Sequence, residues 1–582
     1  MATEHPTFDV IVLGGTPGGL MAAIAAARRG CTALILERTA HIGGLPANGL
    51  GATDIHTRGT TGGLFMEFVR RVRAHYAQTY GADSQQVKDC SDGYRFEPSV
   101  AEAIFETMLG AESRVTVLRG RQFDADAANL IREGQHLRGL TVTDRASGAR
   151  ETYYGRVLID ATYEGDLAGA AGCHFDTRRE GIDEYNEPRA GRLYIQWNAS
   201  EPGEGSTGAA TDTIQAYNYR LCLTRRSDNR TPVARPATYR RDEYVSMVDD
   251  VVNNHHTGAR QGPSGIGWVT NMVTLPNGKT DANNQHFAFI STDLPEENWP
   301  WPTADWAWRD RFAQRLRDYT LGLLYFAQTD DALPADFRAT CSEWGLAADE
   351  YTDNDNFPRQ VYVREGRRVR GEYLFTAHDA LPTVPGGRPP LHTDSITASH
   401  YALDSHAHHK REPNRVHLDG FFSYPTQPYT VPYGVILPLG VEGLLTPVPV
   451  SGTHVGFSTL RMEPCWMAMG QAAGTAAALA IAAGVTVRAV DRAALREALI
   501  DDGAVLIYYR DAAPGHAAYP ALQRLGLRGL VTTWNARLDD PVEPDQLAAW
   551  AAELRVEAPA ADGLTRGHAM VALDAAARPT SA

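Results

Sequence analysis

A short β-branched run, Phe8-Asp9-Val10-Ile11-Val12-Leu13, passes without a break into Gly14-Gly15-Thr16-Pro17-Gly18-Gly19. The run has the make-up of a buried parallel strand. Beyond the loop, Met21 to Arg29 is Ala-rich without Pro or Gly and stops at Gly30, which predicts a helix with a natural C-cap. Thr32 to Leu36 is strand-like again and ends at Glu37. Strand, Gly-rich turn, helix, strand and acidic residue within about thirty residues predict a βαβ unit that binds a dinucleotide.

Each position in that unit has a task. Gly14 permits the tight turn, Gly19 lets the helix pack close to the strand, and the helix N-terminus offers N–H groups and a positive dipole end to a pyrophosphate. Glu37 stands where an acidic residue accepts hydrogen bonds from both ribose hydroxyls. Thr16 takes the place of the middle glycine, which usually lets the pyrophosphate approach most closely, so the fingerprint is imperfect. On this segment alone NAD and FAD both fit.

At 582 residues the chain exceeds one ordinary core, and about two to four structural units are expected. The formal net charge is -15, and lysine occurs only at Lys88, Lys279 and Lys410. Such a balance repels phosphate backbones and anionic bilayers, so neither nucleic acid nor a membrane is expected as a partner. The run Arg364-Glu365-Gly366-Arg367-Arg368 reads as a salt-bridged element rather than an anion site. Six cysteines, Cys31, Cys90, Cys173, Cys222, Cys341 and Cys465, lack any Cys-x-x-Cys spacing, which argues for reduced thiols and against a zinc ribbon or iron–sulfur cluster. The strand-like run begins so early that no secretion signal is expected ahead of it, and a cytoplasmic protein follows. Trp466 to Gly484, rich in Ala and Gly and interrupted by Gln471, suits a buried helix better than a membrane span.

Further segments extend the pattern: His41-Ile42-Gly43-Gly44, Gly49-Leu50-Gly51-Ala52-Thr53-Asp54, and Ile159-Asp160-Ala161-Thr162-Tyr163-Glu164-Gly165-Asp166. Then come Tyr217-Asn218-Tyr219-Arg220, Pro276-Asn277-Gly278-Lys279-Thr280-Asp281, Tyr362-Val363-Arg364-Glu365, Arg461-Met462-Glu463-Pro464 and Gly470-Gln471-Ala472-Ala473-Gly474. In these segments the chain resembles the broad family of FAD-dependent oxidoreductases, many of whose members carry a xanthan lyase label. The resemblance covers about residues 8 to 500 and makes Thr16 a family habit.

The resemblance implies FAD as cofactor and an α/β fold, with a Rossmann-like FAD-binding domain assembled from N- and C-terminal segments. Its parts are residues 1–174 and 404–500, with an α+β substrate or cap domain inserted at 175–403 and a small helical domain at 501–582. The cofactor would be held by Gly14, Gly15, Thr16, Pro17, Gly18, Gly19, Glu37 and Arg38, by His41, Gly43 and Gly44 along the flavin, and by Phe123, Ala161, Gly165, Arg461, Gly470 and Ala473. The last two lie on a helical face with almost no side chains, which suits a ligand or another backbone equally well. The middle segment is rich in Trp, Tyr, Pro and Asn, as a cap around a polar pocket would be. Its pairs Trp299-Pro300-Trp301 and Trp306 to Trp308 suit a sugar platform or, more commonly, core. Gly515 to Leu530 with Leu564-Thr565-Arg566-Gly567 resembles a partial S-layer-homology unit, read as a cap or a homo-oligomer contact.

A flavin takes a hydride at N5, so the chain must supply a base for the coupled proton. His454, just ahead of the expected flavin helix, is one candidate. His406 is the other, with Asp404 two residues away to orient its ring. Arg364 and Arg461 would clamp a carboxylate or stabilise negative charge on the reduced flavin. Asp404, His406 and His408 alternate as metal ligands could, but one extended segment is a poor cage, and no metal is expected. The expectation is a dehydrogenase or oxidase acting on a CH–OH or CH–NH centre of a small polar metabolite. Reduction of an activated C=C bond is the nearest alternative, and a polysaccharide lyase or carbohydrate-binding protein is the alternative of another class.

Overall fold

The computed structural model describes residues 6–197, 199–257 and 263–578. Strand β1 (Thr7–Leu13), helix α1 (Pro17–Arg28) and strand β2 (Ala33–Glu37) form the expected βαβ unit, the two strands parallel and in register from Val10 opposite Ala33 to Leu13 opposite Leu36. Their central residues are buried on both faces of the sheet, which is why they read as continuous apolar runs.

The sheet grows in both directions from β1. β3 (Val115–Arg119) lies parallel outside β2. β4 (His136–Asp144) and β5 (Arg150–Asp160) pair antiparallel, and β5 runs parallel to β1 on its other side. Far along the chain, β6 (Leu444–Leu445) joins the end of β5 in parallel. Segments more than 400 residues apart in sequence therefore share one sheet.

Between the two contributions runs a second sheet, wholly antiparallel, ordered Arg230–Thr231, Gly345–Ala347, Leu221–Thr224, Lys279–Asn284 and Thr270–Thr274. The ammonium of Lys279, 1% exposed, sits 2.7 Å from Glu97, 2.8 Å from Asp349 and 2.7 Å from Glu350. A buried ammonium needs such partners, and Glu97 ties the second sheet to the first fold unit. The Arg-rich run at 364–368 is salt-bridged as expected: Arg364 to Asp293 at 2.9 Å, Arg367 to Asp166 at 2.5 Å and Arg368 to Glu180 at 2.9 Å.

Helices α2 (Trp306–Thr329) and α3 (Glu463–Ala483) complete the frame around the site. The apolar stretch of α3 is long enough to cross a bilayer, yet 83% of it is buried inside the fold. It lies against α1 backbone to backbone: a Cβ on Gly470 would fall on the Gly18 carbonyl, and one on Gly474 on that of Ala22. Helices Tyr519–Leu527, Pro544–Leu554 and Arg566–Ala577 form the C-terminal segment, fastened by the Gln523 side chain, which accepts from Leu506 N (2.7 Å) and Ile507 N (3.0 Å).

Candidate active site

A cavity opens at the C-terminal ends of β1 and β2. It is lined by Gly14, Thr16, Glu37, Arg38, Phe123, Tyr163 and Glu164 from the first sheet's loops, and by Trp301, Trp306, Asp310 and Arg359 from the middle of the chain. Gly14 turns the chain at φ 101°, a conformation glycine alone adopts freely. The carboxylate of Glu37 is held at the cavity by the amides of Gly15 (2.8 Å) and Thr39 (2.7 Å).

Thr16 is the N-cap of α1. Its hydroxyl accepts from Gly19 N (3.2 Å) and donates to the Ala161 carbonyl (2.7 Å), so this side chain is fastened to the end of β5. At φ -72° the position needs no glycine. Opposite the loop, the Arg38 guanidinium lies 4.0 Å from the centre of the Trp306 ring and pairs with Asp310 at 2.7 Å. Trp306 Nε1 donates to the Phe123 carbonyl at 2.9 Å. Of the tryptophans read as a sugar platform or core, Trp301 and Trp306 wall the nucleotide cavity, while Trp308 stacks on Phe312 and Trp299 packs against His409.

Other residues expected at the cofactor also make contacts within the protein. His41 is at the surface, with Nδ1 2.7 Å from Glu102 and Nε2 2.9 Å from Asp353, so neither nitrogen is available to a flavin. Gly470 is small for the sake of the crossing with α1, and Ala473 is buried in the same helix. Gly18 faces Val448 and the Trp466 carbonyl, Gly19 backs onto the Gly14 carbonyl, and Gly43 faces Phe105. Gly44 meets the Tyr163 hydroxyl and Pro17, while Gly165 meets Arg367 and Pro449.

A second cavity is polar. Asp54, Arg220, Asp281, His286, Arg364, Asp404, His406 and Arg461 line it, with Asn271, Asn283, Trp197, Tyr362 and Tyr401. Met462, the N-cap residue of α3, closes one side. The partition between the cavities is two extended segments with alternating side chains. Val361 and Val363 face the nucleotide cavity and Tyr362 and Arg364 the polar one; Tyr219 and Arg220 divide in the same way.

Within the polar cavity, His406 Nδ1 lies 2.8 Å from Asp293 Oδ2, and Arg364 pairs with the other oxygen of Asp293 at 2.9 Å. Asp293 and not Asp404 therefore orients the ring. Asp404 stands 3.8 Å from His406 Nε2 and is tied to Arg461 at 2.8 Å. Burial, then the charges of Arg364 and Arg461, holds the His406 pKa well below the ordinary imidazole range. Burial raises Asp293 to about 6 against the pull of Arg364.

His454 is corrected as a candidate base. It is 1% exposed and does not line this cavity. Its Nδ1 lies 2.8 Å from Glu365 and its Nε2 3.1 Å from Ser405, so both nitrogens are spent on a buried network.

Residues 9–499 match the model of the FAD dependent oxidoreductase family. The chain belongs to this family. It is an FAD-dependent oxidoreductase, and FAD is its cofactor. No curated protein matches it. Among solved structures it resembles an anhydrotetracycline hydroxylase from Streptomyces rimosus (15% identity over 29% of this chain and 35% of that one, TM-score 0.20). It also resembles a glycerol-3-phosphate dehydrogenase from Bacillus halodurans (11%, 30% and 38%, 0.19) and a myxobacterial chondrochloren halogenase (19%, 39% and 45%, 0.20). Each alignment spans less than half of the solved chain, and likeness this slight bears on neither substrate nor reaction.

The oxidoreductase's nucleotide cavity fits FAD by its donor set. Glu37 suits the ribose hydroxyls, the N-terminus of α1 the pyrophosphate, and the Arg38, Phe123 and Trp306 surfaces the adenine. The N-terminus of α3 carries no side-chain cap, Pro464 has no N–H, and Trp466 N bonds the Met462 carbonyl at 3.0 Å. Trp301, Trp306, Asp310 and Arg359 could not be assigned from local sequence, because only the fold brings them beside Glu37. Asp54, Arg220, Asp281 and Tyr362 did carry a signal: all four stand in segments shared with the family.

Proposed function

We propose that this enzyme oxidises a CH–OH or CH–NH centre of a small polar metabolite, with His406 as the base and the polar cavity as the reaction site. The observation that carries the proposal is the Asp293–His406 pair. When bound, FAD supplies the acceptor for the hydride at its N5. Asp293 holds the Nδ1–H tautomer, so Nε2 presents a lone pair to the substrate's O–H or N–H. Burial keeps the ring unprotonated, so Nε2 carries a free lone pair, and it lowers the ring's basicity at the same time. Arg364 keeps Asp293 in place, and Arg461 does the same for Asp404. The segment 175–403, read as the substrate cap, supplies Arg220, Asp281, His286 and Arg364 to the cavity. Six unpaired cysteines suit a reducing compartment such as the cytoplasm.

The test is anaerobic bleaching of the FAD-loaded enzyme by candidate alcohols and amines. His406→Asn should keep its flavin absorbance and bleach at least ~100-fold more slowly, the usual scale for losing a general base. His454→Asn, matched for FAD content, should bleach within about threefold of the parent, since removing a buried structural group acts on stability. Near-normal bleaching by His406→Asn removes it as the base. Reoxidation of pre-reduced enzyme by an enone, without bleaching by any alcohol or amine, would favour the reductase.

A further inference from the structure

The walls of the polar cavity carry more information than its dyad. Three guanidiniums, Arg220, Arg364 and Arg461, face it, and three carboxylates, Asp54, Asp281 and Asp404. Each guanidinium is already paired, and with Asp293 counted Asp54 is left as the fourth carboxylate. Arg220 Nε donates to Asp281 at 2.7 Å, Arg461 pairs with Asp404 at 2.8 Å, and Arg364 with Asp293 at 2.9 Å. The two imidazoles add no charge: burial holds His286 down to about 4 and His406 well below its ordinary range. An anionic substrate would enter without a counter-ion, since every guanidinium is already paired, and an unpaired buried charge is costly.

The cavity is rich in both donors and acceptors. Asn271 and Asn283 offer one of each, and Val273 and Met462 are its aliphatic groups. Arg364 Nε and Arg461 Nε are buried and have no hydrogen-bond partner among the described residues. Trp197 and Tyr401 add aromatic surface. A hydroxyl, which donates and accepts at once, matches such a lining better than a carboxylate or an ammonium does.

Asp54 is set apart among the three carboxylates. Its contact with Arg220 is long, 3.4 Å, and 24% of its side chain stays accessible. Its backbone lies at φ 54°, in the left-handed region that costs a non-glycine residue energy. An accessible carboxylate with an uncommitted acceptor on a cavity wall is placed for a ligand.

Taking this cavity as the reaction site, as proposed above, we infer that the substrate is a neutral polyhydroxylated ring, a sugar or cyclitol oxidised at a secondary alcohol, with Asp54 accepting from its hydroxyls. The carbinol carbon loses its hydrogen with the electron pair to bound FAD, and the hydroxyl loses its proton to His406 Nε2. The alcohol is thereby oxidised by two electrons to a ketone, and FAD is reduced by two.

The experiment uses the full FAD-loaded chain under anaerobic conditions, with binding read from the flavin spectrum and oxidation from bleaching. The probes are glucose, methyl glucoside and myo-inositol, with glucuronate and glucosamine as charged counterparts. At least one neutral ring should bind at least ~10-fold more tightly than both charged ones, the scale of one uncompensated charge. Asp54→Asn keeps a residue tolerated in the left-handed region. It should weaken the neutral ligand ~10-fold or more and shift preference toward glucuronate, because the one carboxylate without its own guanidinium no longer repels an anion. Failure of every neutral ring to bind overturns the inference, as does tighter binding of a charged probe or an unchanged Asp54→Asn profile. Neutral-ring binding without bleaching supports the substrate class and removes the oxidation reading. Bleaching by an amine or a hydroxyl-poor alcohol, with no neutral ring bound, does the reverse.

Discussion

His406 and His454 are both buried, and each has Nδ1 on a carboxylate at 2.8 Å. What separates them is the other nitrogen. His454 Nε2 meets the Ser405 hydroxyl, whereas His406 Nε2 lies in a cavity with Asp404 3.8 Å away. Chain position suggested His454 and the Asp404 neighbour suggested His406, but a one-dimensional pattern cannot say which side chain opens on a void. The orienting carboxylate, Asp293, lies 113 residues upstream of His406, so no local motif could have joined them. The pair sets a pH dependence. Burial holds His406 well below the ordinary imidazole range, and raises Asp293 to about 6. As pH falls through that value the carboxylate that accepts the Nδ1–H is protonated, so the bleaching rate should drop toward acid and level off above it. Stopped-flow bleaching across pH checks this, and Asp293→Asn should lose the acid limb along with most of its rate.

At the scale of elements, the βαβ unit was legible because each part is local: apolar strands, a glycine turn, and a helix with its cap. Thr16, the one departure, is resolved by its hydrogen bonds to Gly19 and Ala161. The small residues of α3 were legible as a bare face but not in their purpose. Their contact is the backbone of α1, where Gly470 opposes Gly18 and Gly474 opposes Ala22. Since α1 carries the phosphate loop at its N-terminus, this crossing fixes the loop from behind. Gly470→Ala should therefore push the helices apart, costing about 1–3 kcal/mol, the usual scale of overpacking. Thermal unfolding of the apoprotein would register that loss, and FAD content after gel filtration should fall with it. An alanine variant with parental stability and full FAD content would show that the crossing has slack. Gly484→Ala is not a fair control, because its φ is 67°.

The whole molecule is arranged around a partition. Tyr219-Arg220 and Val361 to Arg364, both from the middle of the chain, send alternate side chains into two cavities. The nucleotide cavity is consequently roofed by the same segment that builds the reaction site. Arg38 binds Asp310, Trp306 binds the Phe123 carbonyl, and Trp301 donates to Glu164 at 3.3 Å. Burial raises that Glu164 carboxyl to about 7. No composition or period announces such a roof, since its residues lie more than 130 positions beyond the residues they touch. FAD should exchange only when these contacts part. Trp306→Ala removes the ring over Arg38 and the bond to Phe123, and should speed FAD loss at least ~10-fold, equivalent to about 1.4 kcal/mol. Dilution of the holoenzyme, with the rise in fluorescence of released FAD followed over time, measures that rate. Because Trp306 does not line the polar cavity, bleaching by substrate per bound flavin should change much less than retention does. Equal losses in both would mean that the roof and the reaction site move as one body.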